Sequence, residues 1–139
     1  CGYVKEEYGR VQERMLALQK YQPDPIRSVF GATFGRGWLY EMRIGTDGVM
    51  TGGAMYADVF AKMWELHLIG EEEALLECYS RLLLISNLDS LIPGVRLYVM
   101  QKRGVFKTTK SRRGEYSFTP QQIEEIEYRF AALKPYLVV

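Results

Sequence analysis

Two stretches carry the residue types that chemistry would need. The first is Gly45-Thr46-Asp47-Gly48-Val49-Met50-Thr51-Gly52-Gly53-Ala54-Met55, a short apolar centre set between glycines. A strand that runs into such glycines makes a tight turn where a small ligand can meet backbone N–H groups. Packed turns use the same glycines, so by itself the stretch fits a structural turn equally well. The second is Cys1-Gly2-Tyr3-Val4-Lys5, the end of a short buried strand closed by Lys5 and followed by Glu6 and Glu7. A lysine at a strand end is as a rule a solvated charge. The two glutamates read as helix N-terminal charges rather than acid–base catalysts. His67 is the single histidine of the chain, which excludes multi-histidine metal sites, and it reads as a packed or interface residue. Cys1 and Cys78 lie too far apart for a disulfide framework or a metal-ligand spacing, and Cys78 reads as core. Lys107, Lys110, Arg112 and Arg113 form a solvated basic loop.

These residues sit in a chain of 139, enough for one ordinary core. Apolar residues make up 47% and charged residues 25%, with a net charge of +1, so no global charge argument points to nucleic acid or a membrane. No apolar run approaches the ~20 residues of a membrane helix. No signal-peptide pattern opens the chain. The cysteine usage fits a reducing, cytoplasmic setting. The chain opens on Cys1 rather than Met and in mid-strand, as a processed protein or part of a longer polypeptide would.

Hydrophobic spacing supplies the elements. Val11, Met15 and Leu18 share one helical face, and Pro23 and Pro25 stop that helix. Ile26 to Ala32 reads as a second strand centred on Val29-Phe30, followed by a Thr33-Phe34-Gly35 turn. A short helix carries Trp38, Leu39 and Met42, and Gly45 suits its left-handed C-terminus. The glycine-flanked stretch supplies the third strand. A helix over 56–69 shows Val59, Phe60, Met63, Trp64 and His67 in one broad stripe. The next places Leu75, Cys78, Leu82 and Ile85 on one side, with Leu76, Tyr79 and Leu83 beside them, which implies burial on more than one face. Val95 to Arg103 resumes as helix, 105–118 reads as a polar, basic loop, and Thr119-Pro120-Gln121-Gln122 opens a last helix with a capping box. Ile123, Ile126, Phe130 and Leu133 form its buried stripe.

The order is strand-helix three times and then helices alone. Three parallel strands leave two open apolar edges, so the arrangement makes better sense as the closing part of a larger βα barrel, whose functional groups sit at the carboxyl ends of the strands. The expected fold is therefore α/β, with the last three βα units of a TIM (β/α)8 barrel over 1–70 and a helical region packed on it over 71–139.

Several runs carry a resemblance. Tyr3-Val4-Lys5-Glu6-Glu7 is similar to the sixth barrel strand of the dihydrodipicolinate synthase / N-acetylneuraminate lyase family, where Ile/Val-Lys-Glu holds a Schiff-base lysine. Ser28-Val29-Phe30-Gly31 resembles the seventh strand. Gly45 to Gly53 resembles the eighth, with its Gly-x-x-Gly-Val-(Ile/Met)-(Ser/Thr) pattern. Ala54 to Gly104 resembles the family's helical tail. The resemblance implies strands six to eight of a (β/α)8 barrel with extra C-terminal helices, assembled as a homotetramer or dimer, and no metal or organic cofactor. It implies that Lys5 forms an imine with a 2-oxo acid, pyruvate or a 2-keto-3-deoxy sugar acid, in a lyase or aldolase reaction. An amine must be uncharged to attack, so the resemblance calls for a Lys5 that is desolvated at the strand end. It makes Gly31 a pocket residue, Met50 the residue whose backbone borders the 2-oxo acid, and Thr51 and Gly52 neighbours of the variable part of the substrate. Glu7 and Tyr8, and the lack of Arg-x-Pro in Lys107 to Arg113, turn the resemblance from the synthases toward sugar-acid aldolases or dehydratases. The family's strand-two Thr-Thr pair and strand-four tyrosine have no counterpart in these residues. The alternative is a non-catalytic half-barrel that needs a partner chain.

Overall fold

The computed structural model describes residues 1–138. It divides into two compact units, Cys1–Ala54 with His67–Gly70, and Met55–Leu66 with the residues from Glu71 onward. Most of the helix at 57–69 therefore belongs to the second unit.

The first unit is a parallel sheet. Its strands are β1 (Tyr3–Lys5), β2 (Ser28–Gly31) and β3 (Gly48–Val49), in the order β1-β2-β3. The register sets Val4 beside Val29, and Lys5 beside Phe30 beside Gly48. Side chains alternate across a strand, so the two sets face opposite sides. On one side, Val4 and Val29 meet α1 (Val11–Gln19) through Val11 and Met15, with Ile26, Leu18 and Ile44 completing the cluster. Burial of that helical stripe fixes the register, because a slip of one residue would turn Val29 outward. β3 is only two residues long, and Asp47 lengthens its pairing with β2. The Asp47 N–H donates to the Val29 carbonyl at 3.0 Å. The Asp47 Oδ2 accepts from the Val29 N–H at 2.8 Å and from Gln22 Nε2 at 2.9 Å.

β2 leads through a 3-10 turn, Thr33–Gly35, into α2 (Trp38–Arg43). The helix ends as its sequence requires, with Gly45 in the left-handed region at φ 81°.

The second unit is helical: α3 (Ala57–Ile69), α4 (Glu72–Ser86), α5 (Val95–Lys102) and α6 (Pro120–Ala131). Its core joins Val59, Phe60, Met63, Leu75, Cys78, Leu82, Ile85, Val95, Val99, Ile126, Phe130 and Leu133. Burial pushes the Cys78 thiol up to about 11, so it acts as a small apolar side chain. Arg81 donates to the Ala132 carbonyl and Arg129 to the Leu84 carbonyl, which tie α4 to α6. The Thr119 capping box of α6 is present, with the Gln122 N–H donating to Thr119 Oγ1.

Three sequence expectations are corrected here. Leu76 is 52% exposed, so the second face of α4 is only partly covered. Ile123, at the start of the α6 stripe, is 37% exposed. The basic segment is not a plain loop: Lys110–Ser111 (β4) pairs antiparallel with Gly114–Glu115 (β5) around Arg112-Arg113. Gly114 takes φ 125°, and Lys110 reaches Glu115 at 3.4 Å across the pair.

Candidate functional site

The carboxyl ends of the three strands form one edge, and the residues expected to do chemistry lie there. Lys5 closes β1, Gly31 closes β2, and Met50 follows β3. The Met50 N–H donates to the Gly31 carbonyl at 2.8 Å, which carries the β2–β3 ladder one step past β3. Alternation then puts Lys5, Phe30, Gly48 and Met50 on the sheet face opposite α1. Gly48 leaves room for its neighbour, since a Cβ there would touch the Phe30 ring at 3.4 Å. This face is bare: Tyr3 is 61% exposed and Met50 52%.

Lys5 stands at the end of the edge strand β1. Its side chain is 36% exposed, and Nζ lies 2.8 Å from Glu7 Oε2. The desolvation that imine chemistry asks for is thus not supplied by the described residues. The cause is its position: β1 is an edge strand, and α1 covers only the Val4 side of it. The adjoining Glu6 is structural. Its Oε1 accepts from the Glu7 and Tyr8 N–H groups at 3.0 Å each, and its Oε2 lies 3.4 Å from Arg14.

Gly31 points to the other face, toward α2. A Cβ there would land on Glu41 Oε2, so the strand end can only be glycine while Glu41 occupies that space. Gly31 therefore offers the Lys5 face its backbone alone. Thr51 Oγ1 accepts from the Gly53 N–H at 3.0 Å, so its hydroxyl braces the turn. Gly52 lies under the Phe34 ring: a Cβ at Gly52 would stand 2.6 Å from it. The glycine turn after β3 is thus shaped by a ring from the β2–α2 loop. That loop is strained, with Thr33 at φ 50° and Phe34 at φ 56°. Non-glycine residues in this region cost on the order of 1 kcal/mol or more each and cluster at functional sites.

Glu41 was not expected. It is fully buried and neither carboxyl oxygen has a hydrogen-bond partner. Burial pushes its pKa up to about 7, partly offset by the Gln12 amide, which stands beside it without closing a well-shaped hydrogen bond. The signal was in the sequence: Trp38, Glu41 and Met42 fall at i, i+3 and i+4, so helical spacing alone turns Glu41 inward.

A second concave region lies within the helical unit, a cavity of about 560 Å³ bordered by Lys102, Arg103, Phe130 and Lys134. Most of its cations are already engaged. Lys102 meets Glu127 at 2.6 Å, and Arg103 forks onto Asp58. Burial raises the Asp58 pKa, but the Arg103 bonds and the Val138 and Val59 N–H groups outweigh it and hold it below the usual value. This region is built as a brace.

Three parallel strands followed by a helical tail make an α/β fragment of the kind found in part of a βα barrel. Among solved structures, the chain is similar to the dihydrodipicolinate synthase from Rhodopseudomonas palustris, with 26% sequence identity and a TM-score of 0.79. The match covers 96% of this chain and 46% of that one, so the chain spans about half the length of the protein it resembles. No family model matches the sequence, and no curated protein matches it. The three-dimensional similarity to part of a dihydrodipicolinate synthase thus extends over nearly the whole of this chain.

Proposed function

We propose that this chain is the carboxyl-terminal part of a Schiff-base lyase or aldolase, corresponding to strands six to eight of the barrel, with Lys5 as the imine-forming residue. In this reading the Lys5 Nζ attacks the C2 carbonyl of a 2-oxo acid and water leaves. The protonated imine then withdraws electrons from the adjacent bond, so that a C–C bond breaks or forms, or water is lost. The substrate class is pyruvate or a 2-keto-3-deoxy sugar acid, bound as a small molecule by a cytoplasmic homo-oligomer. Met50 lends its backbone to the 2-oxo acid end, and Gly52 borders the variable end.

The observation that carries the proposal is the position of Lys5: it closes a parallel strand, on the face it shares with Phe30, Gly48 and Met50. In a closed barrel that face looks inward, and an amine there loses the solvent that now surrounds Lys5. The natively expressed protein, incubated with 2-keto-3-deoxygluconate, releases pyruvate if it is an aldolase or a dehydrated 2-oxo acid if it is a dehydratase. Lys5→Ala lowers that rate by a factor on the order of a thousand or more, as loss of a covalent nucleophile does. An unchanged rate removes Lys5 from the chemistry.

A second reading is favoured by the ion pair with Glu7 and the exposure of Lys5. Here the 139 residues are a non-catalytic half-barrel that docks its bare sheet face on a partner chain. Native mass of the isolated protein distinguishes the two, because the second requires a different polypeptide in the complex.

A further inference from the structure

Glu41 abuts both feet of the β2–α2 loop. On one side its Oε2 fills the place of a Gly31 Cβ, and on the other its Oε1 would stand 2.6 Å from a Gly37 Cβ. Between these glycines lie the left-handed Thr33 and Phe34. The loop in turn sets the edge where substrate would arrive, through Gly31 accepting from Met50 and through the Phe34 ring resting on Gly52. An apolar side chain in α2 would fill the same volume without leaving two oxygens unsatisfied, so the acid is not explained by packing.

We propose that Glu41 is a positioning residue for the 2-oxo acid site, its carboxyl wedged between Gly31 and Gly37 so that the β2–α2 loop holds the Met50 and Gly52 edge in the shape that receives substrate. The substrate in this statement rests on the function proposed above; the wedge does not. Among the described residues, the Gln12 amide from α1 and the backbones of Gly31 and Gly37 lie against the carboxyl, and burial and Gln12 are the causes of its shift. With its pKa raised to about 7, the acid is neutral below that pH and charged above it. A charge with no cation beside it is costly in this place, and the loop relaxes to let water reach it.

The test uses the natively expressed protein, its Glu41→Gln and Glu41→Ala variants, and two readouts on either side of pH 7. One is hydrogen exchange of the peptide spanning 31–37, corrected for intrinsic rates. The other is the pyruvate concentration that half-saturates borohydride trapping on Lys5. In the parent protein, protection of 31–37 falls as pH rises through about 7, and half-saturation rises roughly tenfold, the size expected of a slightly misplaced binding edge. Glu41→Gln keeps the wedge neutral, so both responses flatten while trapping at low pH stays like the parent's. Glu41→Ala is unprotected at every pH; if that variant does not fold, the comparison with Glu41→Gln decides. A parent-like pH response in Glu41→Gln overturns the role of Glu41. Absence of trapping on Lys5 in the parent protein, with exchange behaving as described, overturns the keto-acid reading instead.

Discussion

The informative residues are those whose surroundings contradict their type. Glu41 is an acid in an apolar place, and stability must feel it. Its pKa rises from 4.5 unfolded to about 7 folded, so the folded state holds the proton more tightly. That contribution is fully present below pH 4.5 and is lost as pH climbs to about 7, by up to ~3 kcal/mol at 1.36 kcal/mol per unit. From acidic to mildly alkaline pH the urea midpoint should therefore fall further in the parent protein than in Glu41→Gln; equal falls would mean the carboxyl is hydrated. Gly31→Ala collides with the same carboxyl and should cost about 1–3 kcal/mol by overpacking. Part of that loss should return in the Gly31→Ala/Glu41→Ala double variant, measured as a coupling energy; strict additivity would show that the two residues do not touch. Asp58 and Arg103 are the opposite case, an ion pair with each side chain 11% exposed. Asp58→Ala leaves the Arg103 charge buried and unpaired, and chemical denaturation should show a loss of about 3–5 kcal/mol.

Among the elements, those with strong local signals are legible in the sequence. The capping box at Thr119 opens α6, and Thr119→Ala should lower stability by about 1 kcal/mol, read from the denaturation midpoint. Val11 and Met15 on α1, and Cys78 and Leu82 on α4, lie buried where their spacing places them. The β4–β5 hairpin was not legible. Its strands are two residues long, Lys-Ser and Gly-Glu, and have no apolar alternation to read. β3 was legible as a strand, yet its length depends on the Asp47 carboxylate bonding Val29 eighteen residues away, a tertiary contact invisible to periodicity. The site shows the same division. Lys5, Gly31 and Met50 could be placed along one edge from strand order. What could not be read was the direction each faces, since Gly31 turns toward α2 and Lys5 away from it.

On the scale of the molecule, the sheet is a partial surface. One face is covered by α1 and α2, and the other presents Tyr3, Lys5 and Met50 to solvent. The chain's match to 46% of a dihydrodipicolinate synthase fits such a surface, because the remaining strands of a barrel are what would close over it. Under the proposed function, closure would also desolvate Lys5, whose side chain is 36% exposed. The direct measurement is peptide mass spectrometry of the natively expressed protein after pyruvate and borohydride treatment. One reduced pyruvyl adduct is expected, on Lys5, abolished by Lys5→Ala. An unmodified Lys5, or an adduct on a different lysine, would contradict it.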